Sequence, residues 1–300
     1  MLRHGLALLR APAIEVSFAL RSSLRWSRGT PGPDALAGAP TFAWAPALLR
    51  PTLEARAAEL EERYAVAART AGLAPELRAR NYARLEQLDR LSRGFDVPRS
   101  RDGVVRAADL GCGDFHYAPA LSRWLTRSGP DAALRTVLRG LEFDGYGVYR
   151  DGYSRADHGR ARAAASSTDG DLVRFEVADA TAARLPQQDV VTLQFPFLTP
   201  YACLSWRAPL SRLRPRRMLR RAVAALRPGG WLVVLNQTPR EHALLARWLA
   251  RAPVTRLVRR RLATDLTPDA PQTVGQIGSI WLRDEIPAGG ADWVASDPRL

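Results

Sequence analysis

The chain contains no lysine. All 44 of its basic residues are arginine, and asparagine occurs only twice among the 300 residues. Together with abundant alanine, this indicates a coding sequence biased towards GC-rich triplets, which fills surface positions with arginine whatever the protein does. The net charge of +14 is therefore poor evidence for nucleic-acid binding, although a basic surface attracts polyanions. A nucleic-acid partner stays possible in this interpretation but is not favoured.

Cysteine is scarce, and long apolar runs are missing. Cys112 and Cys203 lie far apart, so the chain has neither the spacing of a metal-binding motif nor the cysteines of a disulfide framework. We therefore expect no bound metal and a reduced, cytoplasmic environment. No apolar run reaches the roughly 18 residues that a membrane span requires. The sequence leaves the oligomeric state open.

Composition divides the chain into three regions. Residues 1–100 are predicted to form an N-terminal arm and a helical cap. Two amphipathic helices are expected there, one from Pro51 to Gly72 and one from Pro75 to Gly94. Residues 101–286 form the main domain, and residues 287–300 a loosely held tail. The arginine-rich arm is expected to be a helix or strap packed on its own domain. A transit peptide or a membrane-surface helix is the alternative.

From Val104 onwards, short apolar segments alternate with helical patterns. Five segments are predicted strands: 105–110, 137–141, 172–178, 189–195 and 231–235. Segments 254–262 and 274–282 are expected to close the sheet as an antiparallel pair. Pro228-Gly229-Gly230 is expected to separate the fifth strand from the helix before it. This alternation predicts an α/β fold with a doubly wound, mostly parallel sheet.

The most informative segment is 104–115, VVRAADLGCGDF, where an apolar strand ends in an acidic residue and opens into a glycine-rich turn. Gly111 and Gly113 tolerate positive φ and allow backbone amides to approach a ligand closely. The helix that follows is expected to aim its N-terminal amides at the same point. The third glycine of the dinucleotide-binding pattern is missing. The turn predicts a small polar ligand, with simple chain reversal as the alternative.

Polar residues also end the later strands: Glu142, Asp179 and Gln194. The carboxyl ends of parallel strands meet at one edge of a sheet, where ligands bind. Glu142 could accept two ribose hydroxyls, and it is preferred to Asp144 because it directly follows the strand's last apolar residue. Asp179 and the amide of Ala180 could meet an adenine, and Phe195 could line the adenine or the methyl site. Taken singly, each acidic residue also fits a turn or a helix cap.

Together these motifs resemble the class I S-adenosylmethionine-dependent methyltransferases over residues 104–285. AADLGCGD resembles the family's first motif, GLEFD its ribose-binding strand end, VADAT its adenine contact, and LRPGGWLVV its later helix–turn–strand. The resemblance implies a Rossmann-like sheet of seven strands with the last one antiparallel, and S-adenosyl-L-methionine as cofactor. The cofactor-binding residues are then expected to be Asp109, Gly111, Cys112, Gly113, Asp114, Glu142, Asp179, Ala180 and Phe195.

Two positions depart from the family's pattern. Phe115 replaces the usual third small residue of the first motif, so the following helix must pack differently there. The fourth strand ends in QFPF, which differs from the Asn/Asp-Pro-Pro-aromatic motif of amino methyltransferases acting on bases or glutamine. Gln194 could still accept a hydrogen bond from a target amine.

Little catalytic machinery is required of the protein in such a reaction. It mainly binds, orients and desolvates, and a general base is needed only for a hydroxyl or a protonated amine. The catalytic candidates are His116, Tyr117 and Gln194, each of which also fits a packing or capping role. His242 is expected at the surface. The acceptor is expected to be a small molecule. The alternatives are RNA or protein methylation, or a non-catalytic protein of this fold that binds a nucleoside.

Overall fold

A seven-stranded sheet forms the centre of the molecule in a computed structural model that describes residues 8–127, 135–168 and 170–285. The strands are β1 (Val104–Leu110), β2 (Arg135–Glu142), β3 (Leu172–Val177), β4 (Gln188–Gln194), β5 (Leu226–Asn236), β6 (Val254–Arg261) and β7 (Ile277–Arg283). Their order is β3-β2-β1-β4-β5-β7-β6, and β7 runs antiparallel to both of its neighbours. The predicted fold, a doubly wound sheet of seven strands with the last one antiparallel, is confirmed.

Helices cover both faces of this sheet. They are α1 (Ala11–Leu24), α2 (Arg50–Tyr64), α3 (Ala67–Thr70), α4 (Pro75–Ser92), α5 (Ala118–Arg127), α6 (Arg155–Ser166), α7 (Pro200–Ser205), α8 (Pro215–Ala225), α9 (Pro239–Leu249) and α10 (Ala270–Thr273). On β5, Val233 and Leu235 join the core beneath α4, α5 and α6, while Leu232 and Val234 join the core beneath α8 and α9. Burial on both faces explains why the central strands are continuously apolar.

The N-terminal helices belong to the same structure as the sheet. Leu60 of α2 and Leu85 of α4 are buried in one hydrophobic core with Val105 of β1 and Leu121 of α5. Residues 1–7 of the predicted arm and the predicted tail 287–300 lie outside the described residues. Among the described helices, none has the length and apolar character needed to cross a membrane.

Two predicted boundaries were wrong. Pro228-Gly229-Gly230 lies inside β5, in a bulge where the register with β4 shifts. A Cβ on Gly230 would lie 3.0 Å from the carbonyl oxygen of Asp189, so the bulge requires glycine for this close approach. The first amphipathic helix ends at Tyr64 and not at Gly72, because Ala65 adopts a left-handed φ of 50°. The Glu61 carboxylate then accepts the N–H groups of Val66 and Ala67 and stabilises the turn.

Candidate functional site

A cleft of about 740 Å³ lies along the carboxyl ends of β1, β2, β3 and β4. This volume falls within the range of about 300–1,000 Å³ that is typical of small-ligand sites. The predicted site residues that line the cleft are Gly111, Cys112, Gly113, Asp114, His116, Tyr117, Glu142, Asp179, Ala180, Gln194 and Phe195. Asp109 is the exception, since it is fully buried behind the wall.

The glycine turn is tied to the end of β2. The N–H groups of Gly111 and Cys112 both donate to the carbonyl of Leu141, at 2.8 and 3.1 Å, and the N–H of Gly113 donates to the Glu142 carboxylate at 2.9 Å. These three amides are therefore already used within the protein. Gly111 and Gly113 have φ of +79° and +61°, and a Cβ on either would meet nothing within 4 Å. The turn thus offers a ligand its bare Cα surface.

The first turn of α5 is also occupied, contrary to the expectation that its amides face a ligand. The N–H of Ala120 donates to the side-chain oxygen of Asn81 at 3.0 Å, and the amide nitrogen of Asn81 donates to the carbonyl of His116 at 2.8 Å. Asn81 is fully buried on α4. This side chain therefore joins the N-terminal helices to the segment that follows the glycine turn.

Phe115, the residue that departs from the family's first motif, is accommodated by a glycine on the neighbouring strand. Its backbone is left-handed, with φ of 56°, and its side chain is fully buried. A Cβ on Gly140 of β2 would lie only 2.7 Å from Phe115 Cε1 and 3.0 Å from Cys112 Sγ. The ring of Phe115 therefore occupies the space that a side chain at position 140 would need, and it fits because residue 140 is glycine.

Asp109, at the end of β1, is held by two hydroxyl groups. Tyr117 donates to one carboxylate oxygen at 2.7 Å and Thr192 of β4 donates to the other at 2.5 Å. Burial raises the pKa of Asp109 to about 6, although these hydrogen bonds, the charge of Arg84 and the amide of Gln194 oppose the shift. Asp109 therefore adds negative potential behind the glycine turn and fixes the ring of Tyr117.

Glu142 presents a buried carboxylate to the cleft. One oxygen accepts the N–H of Gly113 and the other accepts the N–H of Asp144, both at 2.9 Å. Burial raises the pKa of Glu142, against the charge of Arg155, whose guanidinium lies 3.6 Å away. Since a carboxylate oxygen has two lone pairs, each oxygen keeps the capacity to accept one further hydrogen bond from a ligand.

Asp114 is satisfied by protein partners. It contacts the ring nitrogen Nδ1 of His116 at 2.9 Å, the guanidinium of Arg162 at 2.7 Å and the hydroxyl of Tyr149 at 3.2 Å. Burial acts to raise the pKa of Asp114, but His116 and Arg162 outweigh it and hold the pKa well below its usual value. Asp114 thus orients His116 and links the glycine turn to α6.

Asp179, after β3, is partly exposed to the cleft. One oxygen accepts the N–H of Thr181 at 2.8 Å, and the other lies 3.3 Å from the guanidinium of Arg212. The Asp179 side chain is 29% exposed to solvent. It can therefore accept a hydrogen bond from a ligand on the side that Arg212 does not cover.

Helix α1 packs beside this part of the cleft. Arg21 donates to both carboxylate oxygens of Asp144, at 2.7 and 2.9 Å. Phe18 packs against Phe143, with ring centroids 5.8 Å apart. Glu15 accepts two hydrogen bonds from Ser211, which precedes α8. Helix α1 therefore connects the β2 side of the cleft to the segment before α8.

The opposite wall of the cleft was not found from the sequence. It consists of Arg80, Ala83, Arg84 and Gln87 on α4, and of Thr264, Thr267, Asp269, Gln272, Thr273 and Gln276 between β6 and β7. Arg80 pairs with Asp269 at 2.8 Å, and Gln87 donates to Gln276 at 2.7 Å. Arg80, Arg84 and Gln87 follow one another at helical spacing, so a polar stripe on one face of α4 was the available signal.

His242 was expected at the surface but is buried, with 4% of its area exposed. Within the described part of the chain, neither ring nitrogen has a hydrogen-bond partner. Burial, with Arg259 and Arg256, lowers the pKa of His242 to about 4. The helical spacing of His242 with Leu245 and Leu249 explains its burial, because all three lie on the face of α9 that covers the sheet.

Comparisons with known proteins concern the fold. No protein-family model and no curated protein matches the chain. Among solved structures, TrmN from Thermus thermophilus is 21% identical with a TM-score of 0.43, over 66% of this chain and 48% of TrmN, about half its length. A SAM-dependent methyltransferase from Aquifex aeolicus is 14% identical with a TM-score of 0.43, over 67% and 93%. Geranyl diphosphate C-methyltransferase from Streptomyces coelicolor is 13% identical with a TM-score of 0.43, over 67% and 75%.

Proposed function

We propose that the chain is an S-adenosyl-L-methionine-dependent methyltransferase. The observation that carries this proposal is the hydrogen bond between Gly113 in the glycine turn and the buried carboxylate of Glu142 across one cleft. This hydrogen bond connects the glycine turn, which is expected to hold the methionine moiety, to Glu142, which is expected to hold the ribose. In a sheet of this topology, such a pair lies where a nucleoside ligand binds.

The residues present fit this cofactor. Glu142 keeps one acceptor position on each oxygen, which suits two vicinal hydroxyls. Asp179 is exposed enough to accept from an exocyclic amine, and Gly111 leaves open space where another residue would carry a side chain. When bound, the cofactor would supply an electrophilic methyl group. Asp114 then acts by orienting His116 and the turn, since its oxygens are already paired.

The chain's own contribution to the transfer is positioning and exclusion of water. Tyr117 is poorly suited as a base, because its hydroxyl donates to Asp109 and burial raises its pKa well above the usual value. His116 lines the cleft with Nδ1 held by Asp114, so it is the residue able to take a proton from a hydroxyl acceptor. Gln194 and Phe195 would contact the acceptor near the reacting atoms.

We infer that the acceptor is a small molecule. The wall formed by α4 and the segment between β6 and β7 contains buried residues, such as Thr264 at 3% and Thr273 at 5%, beside the more exposed Arg80 and Asp269. The Gln87–Gln276 hydrogen bond joins α4 to the segment between β6 and β7. Such a wall suits a small acceptor better than a polymer, and methylation of RNA or protein is the alternative that an acceptor screen would reveal.

Isothermal titration with S-adenosyl-L-homocysteine tests the proposal. We expect micromolar binding by the wild type and a loss of at least tenfold in Glu142→Gln and Asp179→Ala, because a hydrogen bond to a charged group contributes about 1.5–3 kcal/mol. Glu176→Gln is the matched control, since Glu176 is a carboxylate of β3 that pairs with Arg139 and does not line the cleft. Absence of binding by a folded wild-type sample would contradict the proposal.

A further inference from the structure

Arg84 is a buried cation in the wall of the cleft. It lies on α4 with 9% of its area exposed, and one of its nitrogens donates to the side chain of Gln87 at 3.0 Å. Its Nε is buried without a hydrogen-bond partner in the described part of the chain. The guanidinium lies over two aromatic rings, 5.4 Å from the centroid of Tyr117 and 5.0 Å from that of Phe195. The rings cover the guanidinium without accepting conventional hydrogen bonds from it.

Three of the other arginines that line the cleft are paired with carboxylates. Arg80 pairs with Asp269, Arg155 with Glu142 and Asp144, and Arg212 with Asp179. Arg84 forms no such ion pair with the described residues. A buried charge is costly unless it is paired and hydrogen-bonded. Arg84 therefore differs from these three arginines in having a donor group left for a ligand.

The charge of Asp109 acts on Arg84, but Asp109 is not a direct partner. Its charge raises the pKa of Arg84, while burial lowers that pKa to about 10, so Arg84 stays protonated at neutral pH. The two carboxylate oxygens of Asp109 accept from Tyr117 and Thr192 instead. The pair keeps the site close to neutral without providing a hydrogen-bond acceptor for Nε of Arg84.

Gln194 is a second buried polar group in the wall of the cleft. It lies at the end of β4 with 6% of its area exposed, and it lines the same cleft. Neither its amide nitrogen nor its amide oxygen makes a hydrogen bond of normal geometry within the described residues. Burying an amide without a partner is unfavourable, and a bound polar ligand would remove this penalty. Gln194 directly precedes Phe195, whose ring centroid lies 5.0 Å from the Arg84 guanidinium, so the two groups lie in one region of the cleft.

We propose that Arg84 and Gln194 form a carboxylate-binding site in the wall of the cleft. The planar guanidinium and the amide N–H suit a singly charged, planar carboxylate. A phosphate dianion would need more positive charge than Arg84 provides beside Asp109. The inference rests on the proposed function, which offers two sources for this group: the amino-acid part of the cofactor or an acceptor that is itself a carboxylic acid.

Calorimetry with matched ligands separates the two sources. The first arm compares S-adenosyl-L-homocysteine with its decarboxylated analogue, which keeps the amine. The second arm titrates benzoate and its neutral counterpart benzamide into the free and the S-adenosyl-L-homocysteine-saturated protein. Each titration uses the wild type, Arg84→Met and Arg84→Lys. Arg80→Met is the control, because it removes a charge from the same helix and the same cleft while Arg84 remains.

A cofactor source predicts that decarboxylation weakens wild-type binding at least tenfold and that Arg84→Met removes this difference. An acceptor source predicts instead that benzoate binds better than benzamide by at least tenfold, and that Arg84→Met abolishes this preference without changing affinity for S-adenosyl-L-homocysteine. Arg84→Lys should restore part of the preference in either case. If the wild type discriminates in neither arm, or if Arg84→Met leaves the discrimination intact, the proposed site is refuted.

The two proposals fail in different ways. Wild-type protein that binds neither adenosyl ligand contradicts the proposed function, and the benzoate titration of the free protein still tests the carboxylate site. Tight binding of both adenosyl ligands, with no preference for either carboxylate, supports the proposed function and refutes the site at Arg84.

Discussion

Gly140→Ala is expected to disturb the glycine turn through Phe115. The added Cβ would lie 2.7 Å from Cε1 and 2.9 Å from Cζ of the Phe115 ring, and 3.0 Å from the sulfur of Cys112. All three atoms belong to the turn, and Phe115 is fully buried, so the ring cannot swing into solvent. The clash must therefore be relieved by moving the turn or β2.

The expected cost is that of overpacking a core, about 1–3 kcal/mol. Phe115→Leu removes both Cε1 and Cζ and leaves space for the new methyl group, while the left-handed backbone at residue 115 is equally strained by either side chain. We therefore expect Gly140→Ala to cost less in the Phe115→Leu background than in the wild type. For residues in contact, a coupling energy of about 0.5–3 kcal/mol is typical.

Urea unfolding followed by circular dichroism gives the four stabilities of this cycle. Gly278→Ala serves as control, because its Cβ would lie 2.5 Å from Leu262 and 2.9 Å from Leu91, in a clash that does not involve the turn. Phe115→Leu should not relieve that clash. Purely additive effects of Gly140→Ala and Phe115→Leu, or a Gly140→Ala protein as stable as the wild type, would refute the packing argument.

Three further predictions concern single residues. Burial raises the pKa of Asp109 from 3.8 to about 6. As the pH rises from about 4 to 6, the wild type should therefore lose roughly 3 kcal/mol of stability relative to Asp109→Asn. Urea unfolding measures this difference, and a difference independent of pH would contradict the prediction. Burial lowers the pKa of His242 from 6.5 to about 4, so protonation should destabilise the wild type as the pH falls across that interval. His242→Leu should abolish this loss of stability. An unchanged dependence of stability on pH in that variant would contradict the prediction. Gly111→Ala places a methyl group in open space at φ +79°, so thermal unfolding should show that the fold is retained at a cost of about 1–2 kcal/mol. Calorimetry should show that S-adenosyl-L-homocysteine binds this variant at least tenfold more weakly. Undiminished binding would argue against the turn as part of the site.

The sheet was predictable because its strands are buried on both faces and end at polar residues. Glu142, Asp179 and Gln194 come directly after or at the ends of apolar runs, and the structure brings all three to one cleft. Pattern alone failed at Pro228-Gly229-Gly230, where glycine serves a bulge inside β5 and not a break before it. Proline and glycine mark irregular backbone, but they do not say whether pairing resumes on the same strand.

Contacts between distant segments could not be predicted in the same way. Nothing near Phe115 in the sequence indicates that Gly140 makes room for its ring. Arg84 belongs to a helix rich in arginine, so composition alone did not distinguish it from the paired Arg80. Its burial beside Tyr117 arises from the packing of α4 against α5, which depends on tertiary structure.

A crystal structure of the protein with S-adenosyl-L-homocysteine would locate the cofactor site directly. We expect both ribose hydroxyls within hydrogen-bond distance of the Glu142 carboxylate, the adenine beside Asp179 and Ala180, and the amino-acid part against Gly111. A ligand bound elsewhere on the protein, or an empty cleft at saturating ligand, would contradict the assignment of this cleft as a methyltransferase site.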